Sequence, residues 1–337
     1  MSIHATYKKH ILKFKKAVKT SRDQLYEKPT YFISIHDSDK GITATGECST
    51  IKGLSIDNES ILESKIDEIC TEINQSQSLP PKSDLSDFPA VRCGLEIALI
   101  ELEKGGNGIL YETDFTLNKK GIPINGLIWM GDLAFMKKQV VEKLESGYSC
   151  LKLKIGDHNF EDELDLIRKI RKEFTARELL LRADANGAFN NNEALEKLKR
   201  LSNLDLHSIE QPIFAGQLDE MAKLCEKTPL PVCLDEELIG VQDKLRLLNH
   251  IKPQYIILKP SLLGGFEESN SWIKLAEERN VGWWATSALE SNIGLSAIAQ
   301  WVSTYPVNIH QGLGTGQLYS NNIPSDLRIS RGYLYFS

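Results

Sequence analysis

The sequence has no apolar run near the roughly 20 residues that a membrane-spanning helix needs. It also has no Cys-x-x-Cys pair and no His-x-x-x-His pair, so the usual zinc frameworks are missing. No strict internal repeat and no low-complexity tract occurs, which excludes solenoids. Met1 to Lys19 carries lysines but no continuous apolar stretch, so a signal peptide is not expected. The six cysteines, Cys48, Cys70, Cys93, Cys150, Cys225 and Cys233, sit inside apolar segments. They read as buried free thiols in a reducing cytoplasm. Strong charge of one sign is absent too. A net charge of −6 over 337 residues disfavours nucleic acid and anionic membranes as partners. The one basic stretch, Lys8 to Lys19, reads as the solvated face of an edge strand.

What is present fits a large globular enzyme, with 41% hydrophobic and 26% charged residues. Thr30-Tyr-Phe-Ile-Ser-Ile-His36 reads as a strand with Gly41 to Ser49 returning beside it. Leu62, Ile66, Ile69 and Ile73 then recur at helical spacing, as do Val91, Leu95, Ala98 and Leu102. From about Ile122 the pattern becomes alternating strands and helices. Expected strands are Ile124–Trp129, Tyr148–Ile155, Leu179–Ala183, Leu206–Ile209, Val232–Leu234, Tyr255–Leu258, Val281–Ala285 and Val307–His310. Eight such units fit a β/α barrel. A doubly wound open sheet is the competing α/β arrangement.

Charged residues end these strands at regular intervals. In Cys150-Leu-Lys-Leu-Lys-Ile-Gly156, Lys152 and Lys154 share one face, because side chains alternate along a strand. Asp184, Glu210, Asp235 and Lys259 follow at steps of 26, 25 and 24 residues, about one strand-loop-helix unit each. That spacing brings three carboxylates and three lysines to one rim. Asp184, Glu210 and Asp235 suit a hard divalent cation with all-oxygen ligands such as Mg²⁺. Taken singly, each acid could instead cap a helix, and each lysine could form a structural salt bridge. Arg182 and Asn186 share the parity of Asp184. Glu236 is the acid best placed to support a ligand or lysine. A lysine acting as a base must fall from about 10.4 to roughly 7–8. One neighbouring unit charge at ~4 Å supplies about that much, ~4 kcal/mol at an effective dielectric of ~20. Lys152 is the candidate neighbour.

This set resembles the enolase superfamily, muconate-lactonizing subgroup, over nearly the whole chain. The resemblance implies a (β/α)₇β modified TIM barrel over 122–317. It also implies an α+β capping domain over 1–121, completed by the tail 318–337. Thr20 to Pro29, Ile124 to Gly131, Thr286 to Gly294 and Gln311 to Gly316 are most similar to members that dehydrate a succinyl-bearing hydroxycyclohexadiene carboxylate on the menaquinone pathway. The implied chemistry is proton removal beside a carboxylate, then loss of hydroxide from the same face. Mg²⁺ is the implied cofactor, with Mn²⁺ a possible substitute. Lys154 is the implied base, with Lys259 the opposing cation and Lys152 either lowering the pKa of Lys154 or contacting a substrate carboxylate. Substrate contacts are expected from Arg22 and Ser49, in the cap loops around Ser21-Arg22 and Gly46 to Leu54, and from Ser287, Ala288, Leu289, Gly312 and Gly314. Where relatives read Asp-Glu-Ser, this chain has Asp235-Glu-Glu237.

Dipeptide epimerase and N-acylamino acid racemase activities on the same scaffold remain open, as does a non-catalytic metal-binding barrel. The segment His310-Gln-Gly-Leu-Gly-Thr-Gly316 lacks the Asp-x-Asp that epimerases use, and suits an anion through backbone N–H groups. A histidine base after strand 7 is also missing, which disfavours mandelate-racemase chemistry. Oligomeric state is not legible.

Overall fold

The computed structural model describes residues 2–19, 24–78, 85–129, 131–156 and 159–337. Three antiparallel strands open the chain: β1 (Ile3–Lys19), β2 (Gln24–Asp37) and β3 (Ile42–Ser49). Helices α1 (Leu62–Ser76) and α2 (Pro89–Glu103) pack on them. β1 is an edge of this sheet, as its lysine-rich alternation suggests. Leu62, Ile66, Ile69 and Ile73 of α1 bury against Ile33 and Ile35 of β2 in one apolar cluster.

α2 lies almost on the backbone of β3. A Cβ on Gly46 would stand 1.7 Å from the Gly94 carbonyl oxygen, so only glycine permits this approach. Gly46 therefore belongs to helix-sheet packing and not to a loop over a ligand. The first turn of α2 lacks a side-chain cap from its own N-cap residue, Phe88. Asp57 substitutes for one, its Oδ1 accepting from Ala90 N at 3.0 Å.

Burial pushes the Asp57 carboxyl up to about 7, against backbone N–H groups that draw it down. The unfolded chain releases this proton near 3.8. Between those values the native state holds a proton that the unfolded state has lost, so stability falls as pH rises. Asp57→Asn keeps an acceptor for Ala90 and removes the titration. Urea unfolding should then show roughly 2 kcal/mol less stability loss between pH 5 and pH 8 for the variant than for the parent. Equal slopes would exclude Asp57 as the source.

The second part runs β4 (Ile122–Pro123), β5 (Gly126–Ile128), α3 (Leu133–Glu145), β6 (Cys150–Lys154), α4 (Phe160–Glu173), β7 (Leu180–Asp184), α5 (Asn191–Ser202), β8 (Ser208–Glu210), α6 (Leu218–Lys227), β9 (Val232–Leu234), α7 (Lys244–Ile251), β10 (Tyr255–Leu258), α8 (Pro260–Leu263), α9 (Phe266–Glu277), β11 (Gly282–Ala285) and α10 (Asn292–Val302). Strands β5 to β11 form one parallel sheet in sequence order. Helices between them are locally well specified. In α4, for example, Asn159 accepts from Glu161 N, acids fill the first turn and Arg171 and Lys172 the last, matching the helix dipole.

The expected eighth strand at Val307–His310 does not form. Closure falls one to two residues later, as single bridges from Gln311 to Ile124 and from Gly312 to Thr286. Pro306, Gly312 and Gly314 break the extended run, so one residue bridges to each neighbour. The result is a ring of seven parallel strands closed by a short eighth segment. The tail adds β12 (Leu327–Ser330) and β13 (Tyr333–Phe336), and β13 pairs with β4.

Glu47 of β3 joins the two parts. Fully buried, it accepts from Thr30 Oγ1, from Ser291 N and Oγ, and from Gly294 N at the start of α10. An anion at a helix N-terminus is favourable both by dipole and by hydrogen bonding.

Candidate active site

Parity along each strand decides which side chains enter the barrel. Leu151, Leu153 and Ile155 pack outward into the main core, whereas Lys152 and Lys154 face inward. Lys154, Asp184 and Glu210 stand in register across β6, β7 and β8. Lys152 Nζ lies 2.9 Å from Asp184 Oδ2 and 2.5 Å from Glu210 Oε2. Lys154 Nζ lies 2.7 Å from Asp184 Oδ2 and donates to Asn186 Oδ1 at 2.5 Å. Asn186 Nδ2 in turn donates to Glu236 Oε1 at 3.0 Å. On the other side of the ring Lys259 Nζ donates to Asp235 Oδ2.

The turns after the strands fix these groups. Asn186 takes φ +43°, a left-handed conformation that asparagine tolerates, and its N–H donates to Asp184 Oδ1 at 3.0 Å. Gln211, at φ +38°, accepts from Asp235 N and Glu237 N and donates to Glu237 Oε2. Glu237 also accepts from Gly216 N, so it turns away from the lysines. The Asp235-Glu-Glu237 departure thus leaves the lysine side of the site untouched.

Burial works against the Lys152 ammonium, but Asp184, Glu210 and Asp235 outweigh it, and its pKa lies above the ordinary lysine value. Lys259 is raised likewise, burial being overcome by Asp235, Glu210 and Glu236. For Asp184, burial is overcome by Lys152 and Lys154, which hold its carboxyl well below the usual range. Glu210 goes the other way. Burial, then the adjacent Asp184 charge, push it well above the carboxylate range despite Lys152. Both partners of the Lys152–Glu210 pair are thus raised: the acids favour the charge on Lys152, while burial and the neighbouring acids disfavour it on Glu210.

That cluster suits a cation. Glu210 Oε1 is buried and meets no protein donor, and the same holds for Glu236 Oε2. Three carboxylates, all oxygen donors, end adjacent strands and repel one another. Among the described residues no three His, Cys, Asp or Glu side chains already converge as a metal cage, since lysines lie against Asp184, Glu210 and Asp235. The donor set fits Mg²⁺ or Mn²⁺.

A cavity of about 490 Å³ opens above the lysines. Lys152, Lys154, Lys259, Asn186 and Glu236 line its floor, and Ile51, Leu54, Trp129, Leu289 and Leu318 give apolar wall. Of the expected substrate contacts, Ser287, Leu289, Gly312 and Gly314 line it. Ala288 is buried and does not. Ser49 is buried too, accepting from Lys28 Nζ at 2.6 Å, and does not line the cavity. Arg22 lies outside the described residues. The Gly312 N–H is spent on Ala285 O in barrel closure, so it is not free to hold an anion. Arg182 is one layer deeper, stacked on Trp284 and donating to His310 O at 2.8 Å, with no bond to the acids.

Several lining residues went unread in the sequence. Lys15 and Lys16 line the mouth although the basic stretch read as merely solvated. Trp129 shares parity with Asn125 and Leu127, and all three line the cavity, so alternation would have found it. Tyr319 carried no signal. Its hydroxyl donates to Leu289 O at 2.7 Å and holds Leu289 at φ +61°, a conformation leucine rarely takes.

The chain belongs to the enolase C-terminal domain-like family, whose sequence profile matches residues 136–337. It is 45% identical to the o-succinylbenzoate synthase of Desulfotalea psychrophila, over 98% of each chain. The crystal structure of MenC from that organism superposes with a TM-score of 0.86 at 44% identity, covering 99% of this chain and 100% of that one. The L-Ala-D/L-Glu epimerase of Bacillus subtilis also superposes at 0.86, covering 100% and 97%, but at 18% identity it speaks to the fold alone. The fold is a modified TIM barrel with an α+β cap.

Proposed function

We infer that this chain is a lyase that dehydrates a succinyl-bearing hydroxycyclohexadiene carboxylate to o-succinylbenzoate, a step in menaquinone biosynthesis. The observation that carries the reading is the full-length 45% identity to a synthase of that activity. The lysine-acid ring beneath one cavity supports it. Residues 1–121 with 318–337 act as the cap, and 122–317 as the catalytic barrel.

A lysine base with Mg²⁺ is the known arrangement in enolase-superfamily sites. Asp184, Glu210 and Asp235 would hold Mg²⁺, which supplies Lewis-acid stabilisation of charge on a substrate carboxylate. Lys154 removes the proton beside that carboxylate, and Asn186 and Asp184 hold its Nζ toward the cavity. The protonated Lys154 then returns this proton to the departing hydroxide on the same face, so water leaves. Lys259 stays cationic on the opposing strand and stabilises the enediolate charge. Lys152, held as an ammonium by three acids, adds positive charge beneath. The substrate is a small carboxylate. No described helix is long and apolar enough to cross a membrane, and a cytoplasmic location fits the six buried free thiols.

Purified protein should turn over the dehydration substrate with Mg²⁺, and dipeptides and N-succinyl amino acids far more slowly. Preferential racemisation of an N-succinyl amino acid would overturn the assignment.

Tyr319→Phe tests the wall of the cavity. Losing one hydrogen bond costs about 0.5–1.5 kcal/mol, so KM should rise up to roughly tenfold with kcat changed less. Leu289→Gly, which accepts a positive φ freely, should blunt the effect when combined with it. Unchanged KM in Tyr319→Phe would remove the clamp from the account.

A further inference from the structure

We propose that the end of the barrel opposite the active site binds a small inorganic anion, held by Arg182 and Trp284. Arg182 is 1% exposed and always charged. Its Nη1 donates to His310 O, but Nε and Nη2 reach no protein acceptor. Trp284 Nε1 reaches none either. The guanidinium carbon stands 3.8 Å from the centre of a Trp284 ring, so the three donors are close neighbours. Donors this close, none of them spent on a protein acceptor, can be taken together by one anion.

No carboxylate among the described residues pairs with this guanidinium. Asp184, the nearest in sequence, sits on the lysine layer above, with Lys152 and Lys154 against its Oδ2. A buried charge without a counter-charge is costly, and a bound anion removes the cost. The surroundings offer donors and aromatic edges and no acid. His207 packs on Tyr255 and Trp284, with ring centres 4.9 and 6.2 Å away, and Cys233 and Ile257 complete the layer. Ser149 and Ser208 hydroxyls bond the two histidines. Burial, with Arg182 adding to it, pushes His207 and His310 down to about 4, so both are neutral and neither competes for the anion as a cation. His207, Tyr255 and His310 are only partly buried, which gives an ion a way in from outside without passing the catalytic lysines.

Chloride is the probe. Thermal unfolding of the full-length protein should be followed as chloride replaces gluconate at constant ionic strength and fixed Mg²⁺. A saturable rise in Tm is expected, because an ion bound only by the native state stabilises it. Arg182→Met should abolish the saturable part. Trp284→Phe, which keeps a stacked ring and loses one donor, should raise the half-saturating chloride several-fold, and it serves as the test should Arg182→Met not fold. Crystals soaked in bromide should give an anomalous peak beside the Arg182 guanidinium. No chloride-specific rise in Tm, an identical rise in the variants, or bromide on surface sites only would each overturn the proposal.

Discussion

Lys154→Ala should lower turnover of the dehydration substrate by about 10⁴-fold or more. Loss of a general base typically costs roughly 10²–10⁴-fold, and here no second base can take over. Lys152 is the nearest alternative, but Asp184, Glu210 and Asp235 keep it an ammonium. Lys259 is on the opposite side of the ring and pairs with Asp235. Lys259→Ala should cost less, on the order of 10²–10³-fold, since it removes charge stabilisation and leaves the base in place. That inequality separates the chemistries. A racemase needs a base on each face, and both variants would then be equally dead in racemisation. Single-turnover rates with saturating Mg²⁺, and folding checked by circular dichroism, decide it. Lys154→Ala within about tenfold of the parent, well short of a general-base loss, would falsify the role given to that lysine.

Removing the cation should be as severe. Exhaustive chelation is expected to abolish turnover, with return on adding Mg²⁺ or Mn²⁺. Glu210→Gln is the informative variant. It keeps the volume and a hydrogen-bonding group, yet removes one carboxyl of three and one of the two acids that touch Lys152. Its activity should fall by at least about 10²-fold, as for loss of a main electrostatic group, and millimolar Mg²⁺ should not restore it. Glu210→Ala is a poorer probe, because a buried lysine left half-paired can cost about 3–5 kcal/mol of stability. Full activity after chelation, or a Glu210→Gln enzyme equal to the parent, would show that no metal is held there.

Sequence periodicity was informative where one face of an element is buried. The alternation around Lys152 and Lys154 is the alternation of β6, and the strand ends at Asp184, Glu210, Asp235 and Lys259 do meet around one ring. It failed where pairing is set from a distance. Val307 to His310 has the apolar alternation of a strand, but the hydrogen bonds that close the barrel come from Gln311 and Gly312, whose partners are some 190 and 26 residues away in sequence. Ser49 was placed at the cavity because it lies near loops that do reach it. Its hydroxyl is instead buried against β2, taken by Lys28. Arg182 has the right parity for the site and the wrong depth, which sequence spacing along one strand cannot separate from its neighbour Asp184. Tyr319 was invisible because its role depends on the tail folding back across the mouth.

That return of the tail sets an order of assembly. Tyr319 also bridges to Phe14 on β1, Ser320 N donates to Lys13 O, and β13 pairs with β4. Each of these joins residues 319–336 to segments made hundreds of residues earlier. Contacts of such long sequence separation form late. During synthesis the barrel can close around its lysines and acids while the mouth still lacks the clamp on Leu289. Nascent chains held on the ribosome short of Tyr319 would therefore carry the reactive groups in an unfinished vessel, and the pocket becomes selective only once Tyr319 and β13 have joined it.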